Sequence, residues 1–151
     1  MNYKTILIND FSDAKFQEAF RTYFAEEEMH IKDWKGLFAE MNRQKDNAAF
    51  VRMNGKGEVV GFLQFQPGEM EHWFFRESVG FIREFWICPT YRGEGHGKDL
   101  LALTETHFME RGITRILLTA DKAEGFYLCH GYRKAAGIQA KKQMDVFEKQ
   151  L

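Results

Sequence analysis

The order of segments along the chain predicts an α/β (α+β) single domain, a mixed central β-sheet flanked by helices in the order βααβββαβαββ. Three observations carry that prediction: two helix-period stretches near the start, a set of short apolar runs separated by turn residues, and a strand that enters a glycine-rich loop and then a helix. Residues 4–8 read as the first strand. Ser12 is placed to cap a helix that carries Phe16, Ala19, Phe20, Tyr23 and Phe24 at spacings of three and four. The run Glu26-Glu27-Glu28 breaks this pattern, and Ile31, Trp34, Leu37, Phe38 and Met41 restart it on a second helix, giving a helical hairpin.

Residues 48–53 and 58–66 flank Asn54-Gly55-Lys56-Gly57, a connection suited to positive backbone dihedrals and hence to two antiparallel strands. Pro67-Gly68 is expected to end that pair, and residues 79–87 to supply the next strand. Strict alternation there places Phe81, Arg83, Phe85 and Ile87 on one side and Ile82, Glu84 and Trp86 on the other. Residues 95–111 form the central helix, with Leu100, Leu101, Thr104 and Phe108 on its stripe and Gly112 in the left-handed position beyond its end. A buried strand over 113–119, a short helix over 123–130 ending at Gly131, and a terminal hairpin formed from Tyr132 onward with 144–147 complete the order.

At 151 residues the chain can bury a core without staples, so residues 1–151 are expected to form one domain. Its 21 basic and 22 acidic residues create no basic field, so nucleic acid is not an expected partner. No run of apolar residues is long enough for a membrane span and no secretory leader is read at the start, which places the protein in the cytoplasm as an expectation. Cys88 and Cys129 have no metal-ligand spacing and are expected to be free thiols; the five histidines have none either, so no metal is expected. Several of the fifteen phenylalanines cluster between His72 and Trp86, a pattern that fits sheet packing or the lining of an apolar channel.

The most informative segment is Arg92-Gly93-Glu94-Gly95-His96-Gly97-Lys98, directly before the central helix. Glycines let the backbone approach a ligand, and the unpaired amides of a helix start suit a phosphate or pyrophosphate. A P-loop needs glycine where Arg92 stands and Ser or Thr where Asp99 stands, and a dinucleotide fingerprint needs two residues where only His96 separates Gly95 from Gly97. Both are excluded by counting.

The segment resembles the acyl-coenzyme A loop of the GNAT superfamily of N-acetyltransferases. The flanks resemble it too: Phe85-Trp86-Ile87, Pro89 and Tyr91-Arg92 upstream, and Phe126-Tyr127 followed by Gly131-Tyr132 downstream. The likeness covers nearly the whole chain, weakly before about Val79, and departs where Ala120 stands in place of a frequent Asn. It implies a GNAT fold and an acetyl-CoA:amine N-acetyltransferase with acetyl-CoA as co-substrate. It implies a cofactor site at Trp86, Ile87, Arg92, Gly93, Glu94, Gly95, His96, Gly97, Lys98 and Tyr127. The acceptor is expected to be an amine on a small molecule or protein, and a homodimer is an expectation of the same kind. A coenzyme A-binding regulatory or interaction module of the same fold is the alternative.

An amine attacks a thioester only in its neutral form, so the site must take up a proton, directly or through water. Glu84, where many family members carry a carboxylate, is the candidate base; an ordinary surface carboxylate paired with Arg83 is the competing reading. Tyr127 matches the family tyrosine that acts as acid toward the departing thiolate, and a backbone amide near Ile87 is implied as the oxyanion donor. Glu26, Glu27 and Glu28, together with Glu84, are candidates to attract a cationic amine, although Glu26 to Glu28 also fit a solvated helix end. His72 to Arg76 is a further candidate for the acceptor wall.

Overall fold

The computed structural model describes residues 2–142 and 144–151. Its elements follow the predicted order: β1 (Lys4–Ile8), α1 (Ala14–Glu26), α2 (Trp34–Arg43), β2 (Ala48–Met53), β3 (Val59–His72), β4 (Phe75–Ile87), α3 (His96–Met109), β5 (Arg115–Ala120), α4 (Glu124–Cys129), β6 (Arg133–Lys134) and β7 (Asp145–Gln150), with a single 3₁₀ turn at Pro89–Tyr91. They build one seven-stranded sheet in the order β1-β2-β3-β4-β5-β7-β6. Neighbours are antiparallel except β4 and β5, which run parallel. No helix among the described residues is long and apolar enough to cross a membrane.

The two faces of the sheet carry separate cores, because successive residues of a strand point to opposite sides. Ala49 and Val51 of β2 and Phe62 of β3 join Phe16, Phe20 and Phe24 of α1 and Phe38 and Met41 of α2. On the other face Ala48, Leu63 and Phe65 join Leu100, Leu101 and Phe108 of α3 and Tyr127 of α4. Gly80 lets α3 lie close: a Cβ there would stand 2.6 Å from the Phe108 ring. Most of the phenylalanines are thus packing residues: Phe16 of α1 meets Phe38 and Phe62 edge-to-face, and Phe20 meets Phe38 in the same way.

Three local expectations are corrected. The N-cap of α1 is Asp13, whose carboxylate accepts from the Phe16 amide at 2.8 Å, while the Ser12 amide donates to Asp10 in the turn before it. The pair of β2 and β3 does end before Pro67-Gly68, but β3 itself does not stop at residue 66 and continues to His72 paired with β4. The partnership of β3 with β2 stops at Ala48 and Phe65, so Pro67 lies where one side of β3 is an open edge, and an edge tolerates a residue without an N–H.

The third correction concerns β4. Phe65 pairs with Ile82 and Leu63 with Phe85, so Gln64 alone stands opposite both Arg83 and Glu84, a bulge with one extra residue on β4. Alternation shifts there by one. Ile82 packs with Phe85 and Ile87 in the α3 core, whereas Trp86 packs in the α1–α2 core and Glu84 meets α1.

The cap assignment predicts that Asp13→Ala lowers unfolding free energy by about 1 kcal/mol in urea titrations, while Ser12→Ala stays within about 0.5 kcal/mol of the parent. Equal losses at both positions would overturn it.

Candidate active site

β4 and β5 pair only at Gly80 with Ile116 and Phe81 with Leu117, and beyond those rungs the strands part. The edge of β4 toward β5 is therefore open from Ile82 to Ile87, leaving backbone N–H and C=O groups without a strand partner on that side. A pocket of about 570 Å³ lies there, walled by Phe85, Trp86 and Ile87 of β4, by Ala123, Phe126, Tyr127 and His130 around α4, and by Tyr23 and Glu27 from α1. Tyr91, Arg92, Gly93, Gly95, His96, Gly97 and Lys98 close its other end. Of the predicted cofactor residues all but Glu94 line this pocket; Glu94 is exposed on the loop.

Gly95 is the N-cap of α3 with φ 90°, and Gly93 has φ 80°, both in the left-handed region that favours glycine. No side chain caps this helix, so its first-turn amides and the positive end of its dipole face the pocket mouth. Gly97 lies under the rings of Phe126 and Phe85, where a Cβ would stand 3.4–3.6 Å from them in ordinary contact. The start of α3 is tied to the sheet by Arg52 of β2, which donates to Asp99 at 2.8 Å and lies 3.2 Å from Nδ1 of His96. The arginine must donate, so the His96 proton belongs on Nε2, and that buried atom has no hydrogen-bond partner among the described residues.

Three groups from different elements interact beside the pocket: Tyr23 and Tyr127 line it, whereas Glu84 does not and is linked to it through Tyr23. Tyr23 Oη of α1 donates to Glu84 Oε2 at 2.7 Å, and Tyr127 of α4 lies near enough that Glu84 acts on it electrostatically. Burial raises the Glu84 pKa above the ordinary carboxylate value, and Glu27 nearby adds to this; the Tyr23 hydrogen bond, Arg83 and Lys142 pull it back. Burial, with Glu84 second, pushes Tyr127 up to about 12. Burial and the Glu84 carboxylate also hold the Tyr23 hydroxyl far above the ordinary phenol range, so it remains a donor.

The acidic run has more specific partners than a solvated helix end. Glu26 accepts from Trp86 Nε1 at 2.7 Å and from Arg92 Nη2 at 2.7 Å, and Arg92 Nε donates to the Ile87 carbonyl at 2.8 Å. The Trp86 hydrogen bond leads the effects that keep the Glu26 pKa low. Glu27 pairs with Lys122 at 3.1 Å and lines the pocket, and Glu28 follows with φ 56° beyond it. These contacts offset the cost of acidic residues at a helix C-terminus, where the dipole repels them. Ala120 packs in the core beside Tyr127, and Asp121 is exposed. Cys129 is exposed, and Cys88 lies 3.5 Å from the Thr90 hydroxyl. Among the described residues no group of His, Cys, Asp and Glu is arranged to hold a metal ion. His72 to Arg76 sits at the far tip of the β3–β4 pair and does not line the pocket.

Sequence reasoning gave no site role to Tyr23 or Arg52, and named Phe85 and Phe126 only as flanking motif residues. Tyr23 lies on the apolar stripe of α1 and reads as core; only its hydroxyl, needing a partner once buried, hints otherwise.

A Staphylococcus aureus Mu50 acetyltransferase of the GNAT family has the same fold, with TM-score 0.78 at 15% identity over 99% of each chain. So has the PaiA N-acetyltransferase of Thermoplasma acidophilum, solved in complex with coenzyme A, with TM-score 0.68 at 14% identity over all of both chains. An uncharacterized N-acetyltransferase of Archaeoglobus fulgidus is 32% identical over 84 residues, 53% of each sequence, so the chain spans about half the length of this relative. Residues 10–135 match the sequence model of the acetyltransferase (GNAT) family, and with fold and pocket in agreement the chain belongs to that family.

Proposed function

We propose that the protein transfers an acetyl group directly from acetyl-CoA to a primary amine of a small molecule or protein in the cytoplasm. The observation that carries this reading is a pocket lined by Tyr23, Tyr127 and an uncapped, glycine-lined helix start, with Glu84 hydrogen-bonded to Tyr23 and acting electrostatically on Tyr127. The residues fit the donor. The amides of Gly95, His96 and Gly97, with Lys98 beside them, suit a pyrophosphate. The open edge of β4 offers hydrogen bonds to the amides of an extended pantetheine arm in the manner of an added strand.

In this reading the neutral amine attacks the thioester carbonyl, a C–N bond forms and the C–S bond breaks. Glu84 takes the proton the amine loses, directly or through water; its raised pKa makes it a better base than an exposed carboxylate. A backbone amide at the open edge of β4 near Ile87 stabilises the oxyanion. Tyr127 meets the departing sulfur. With a pKa of about 12 it lies above an ordinary thiol, so it stabilises the thiolate chiefly by donating a hydrogen bond, and full proton transfer follows once desolvation raises the sulfur's own pKa. Glu27 and Glu84 add negative charge on the acceptor side, which suits a cationic amine before it sheds its proton.

The test is release of free thiol from acetyl-CoA over an amine panel, with acetyl-CoA binding measured on the same preparation. Binding with amine-dependent release is the expected result; binding without release over a broad panel would favour the non-catalytic module. Tyr127→Phe should lower kcat about 100-fold or more while acetyl-CoA affinity changes by only a few-fold, and unchanged turnover would remove Tyr127 from the chemistry. The kcat/KM profile should rise with pH along a limb displaced above the ordinary glutamate range, and Glu84→Gln should abolish that limb along with most of the rate.

Glu84 also predicts a stability effect. Its pKa is raised in the folded chain, so the folded state prefers it protonated. Below the unfolded pKa both states hold the proton and no penalty exists; the penalty grows as pH rises through the folded pKa. Glu84→Gln should therefore raise Tm at pH 7.5 and do so less at pH 4, and a Tm gain that is the same at both pH values would contradict the burial argument.

A further inference from the structure

Glu84 does not itself line the pocket, whereas Tyr23 does. Of the described side chains on the pocket wall, Tyr23 is the one hydrogen-bonded to that carboxylate, its Oη donating to Oε2 at 2.7 Å. The hydroxyl therefore lies between the space open to a ligand and the base, in the place of a bridging water. A phenol oxygen that donates its proton on one side keeps lone pairs for a donor on the other. The ring is held edge-to-face by Phe20, Phe24 and Phe62, which fixes where the hydroxyl stands. The Glu27 amide donates to the Tyr23 carbonyl at 3.1 Å, so Glu27 follows Tyr23 by one helical turn, and both line the pocket. A cationic nitrogen attracted to Glu27 arrives beside Tyr23.

An amine that is neutral in water needs no such arrangement. An alkylamine, with an ordinary pKa of about 10, is almost wholly protonated at neutral pH. It must lose a proton in a pocket that the base does not line.

We propose that Tyr23 is a further catalytic residue, whose hydroxyl takes a proton from the acceptor's ammonium group as it passes its own to Glu84, and that the acceptors are accordingly basic alkylamines. An N–H bond breaks and leaves its electron pair on nitrogen, while an O–H bond forms at Tyr23. The former Tyr23 O–H bond breaks and a new one forms at Glu84 Oε2. Ammonium and carboxylate thus become amine and carboxylic acid, and the phenol is regenerated. The two protons move together, because burial and the neighbouring carboxylate hold the Tyr23 hydroxyl far above the range in which a free phenolate forms. The nitrogen loses its second proton as the C–S bond breaks, and that proton replaces the one Tyr127 gives the sulfur. Glu84 then releases its proton to water. Of the groups that face the pair, Arg83 and Lys142 favour the ionised carboxylate and Glu27 opposes it, while Tyr127, with a pKa of about 12, stays neutral.

The relay rests on acetyl transfer with Glu84 as base, and the experiment separates the two. It measures kcat/KM by thiol release with the reactive alkylamines of the panel, for the parent, Glu84→Gln and Tyr23→Phe, from pH 8 to pH 10. Circular dichroism melting and acetyl-CoA binding check folding; Tyr23→Phe keeps the ring among its phenylalanines and should pass both as the parent does. Without a relay the variant depends on amine already neutral in solution. Its deficit should be about 100-fold at pH 8 and shrink about tenfold per pH unit, to a few-fold near pH 10. A Tyr23→Phe variant as fast as the parent would overturn the relay and leave Glu84 as base. So would a deficit of the same factor at every pH, which is what the loss of a mere support for Glu84 gives. A parent that acetylates only arylamines, neutral across this range, would overturn it as well. A parent that releases no thiol with any amine, or a Glu84→Gln variant undiminished at every pH, would overturn the transfer or the base and the relay with it.

Discussion

One extra residue in β4 organises the molecule. Opposite Gln64 the strand must fit both Arg83 and Glu84 into the space of one, and the bulge that results turns the following residues over. Ile82, Phe85 and Ile87 remain in the α3 core, while Glu84 and Trp86 turn toward α1. A bulge also strengthens local twist, and β4 leaves β5 immediately after Phe81, just before the extra residue. The open edge that walls the pocket and the turn of the Glu84 carboxylate toward Tyr23 are thus two consequences of one irregularity. Remove it and strict alternation would put Ile82 on the face of Glu84 and Trp86.

Around that irregularity the charges are arranged by burial and pairing. Glu84 is half-buried and retains a hydrogen-bond donor in Tyr23, which holds its orientation without neutralising it. The acidic end of α1 is bound by Trp86, Arg92 and Lys122, so Glu26 joins helix, strand and glycine loop in a single cluster. The start of α3 is steadied from the opposite side by Arg52, His96 and Asp99. The glycine loop between them makes no side-chain cap of its own, and its amides remain available to a ligand.

Much of this was legible beforehand. The helix stripes of α1 and α2, the turn at residues 54–57, the left-handed Gly112 and the strand-loop-helix unit at residues 79–111 were all read from local rules that the structure obeys. Local reading failed where a long-range partner decided the outcome. Pro67-Gly68 marks the end of the pairing with β2, but nothing in the sequence tells that β3 runs on past it to His72 with β4 as its only partner. Ser12 and Asp13 are both good caps, and the choice between them fell to Asp10, which captures the Ser12 amide.

The sequence by itself determined the order of elements, the glycine loop and the residue types available for proton transfer, because those depend on periodicity, steric freedom and side-chain chemistry close along the chain. Only the tertiary structure decided that Glu84 faces Tyr23, that Arg92 binds Glu26, and that three aromatics stand in solvent at the tip of the β3–β4 pair. A bulge is a mismatch between two strands, an ion pair joins residues 66 positions apart, and exposure depends on what neighbouring strands leave uncovered. None of these is a property of one segment, so no rule applied to one segment could have found them.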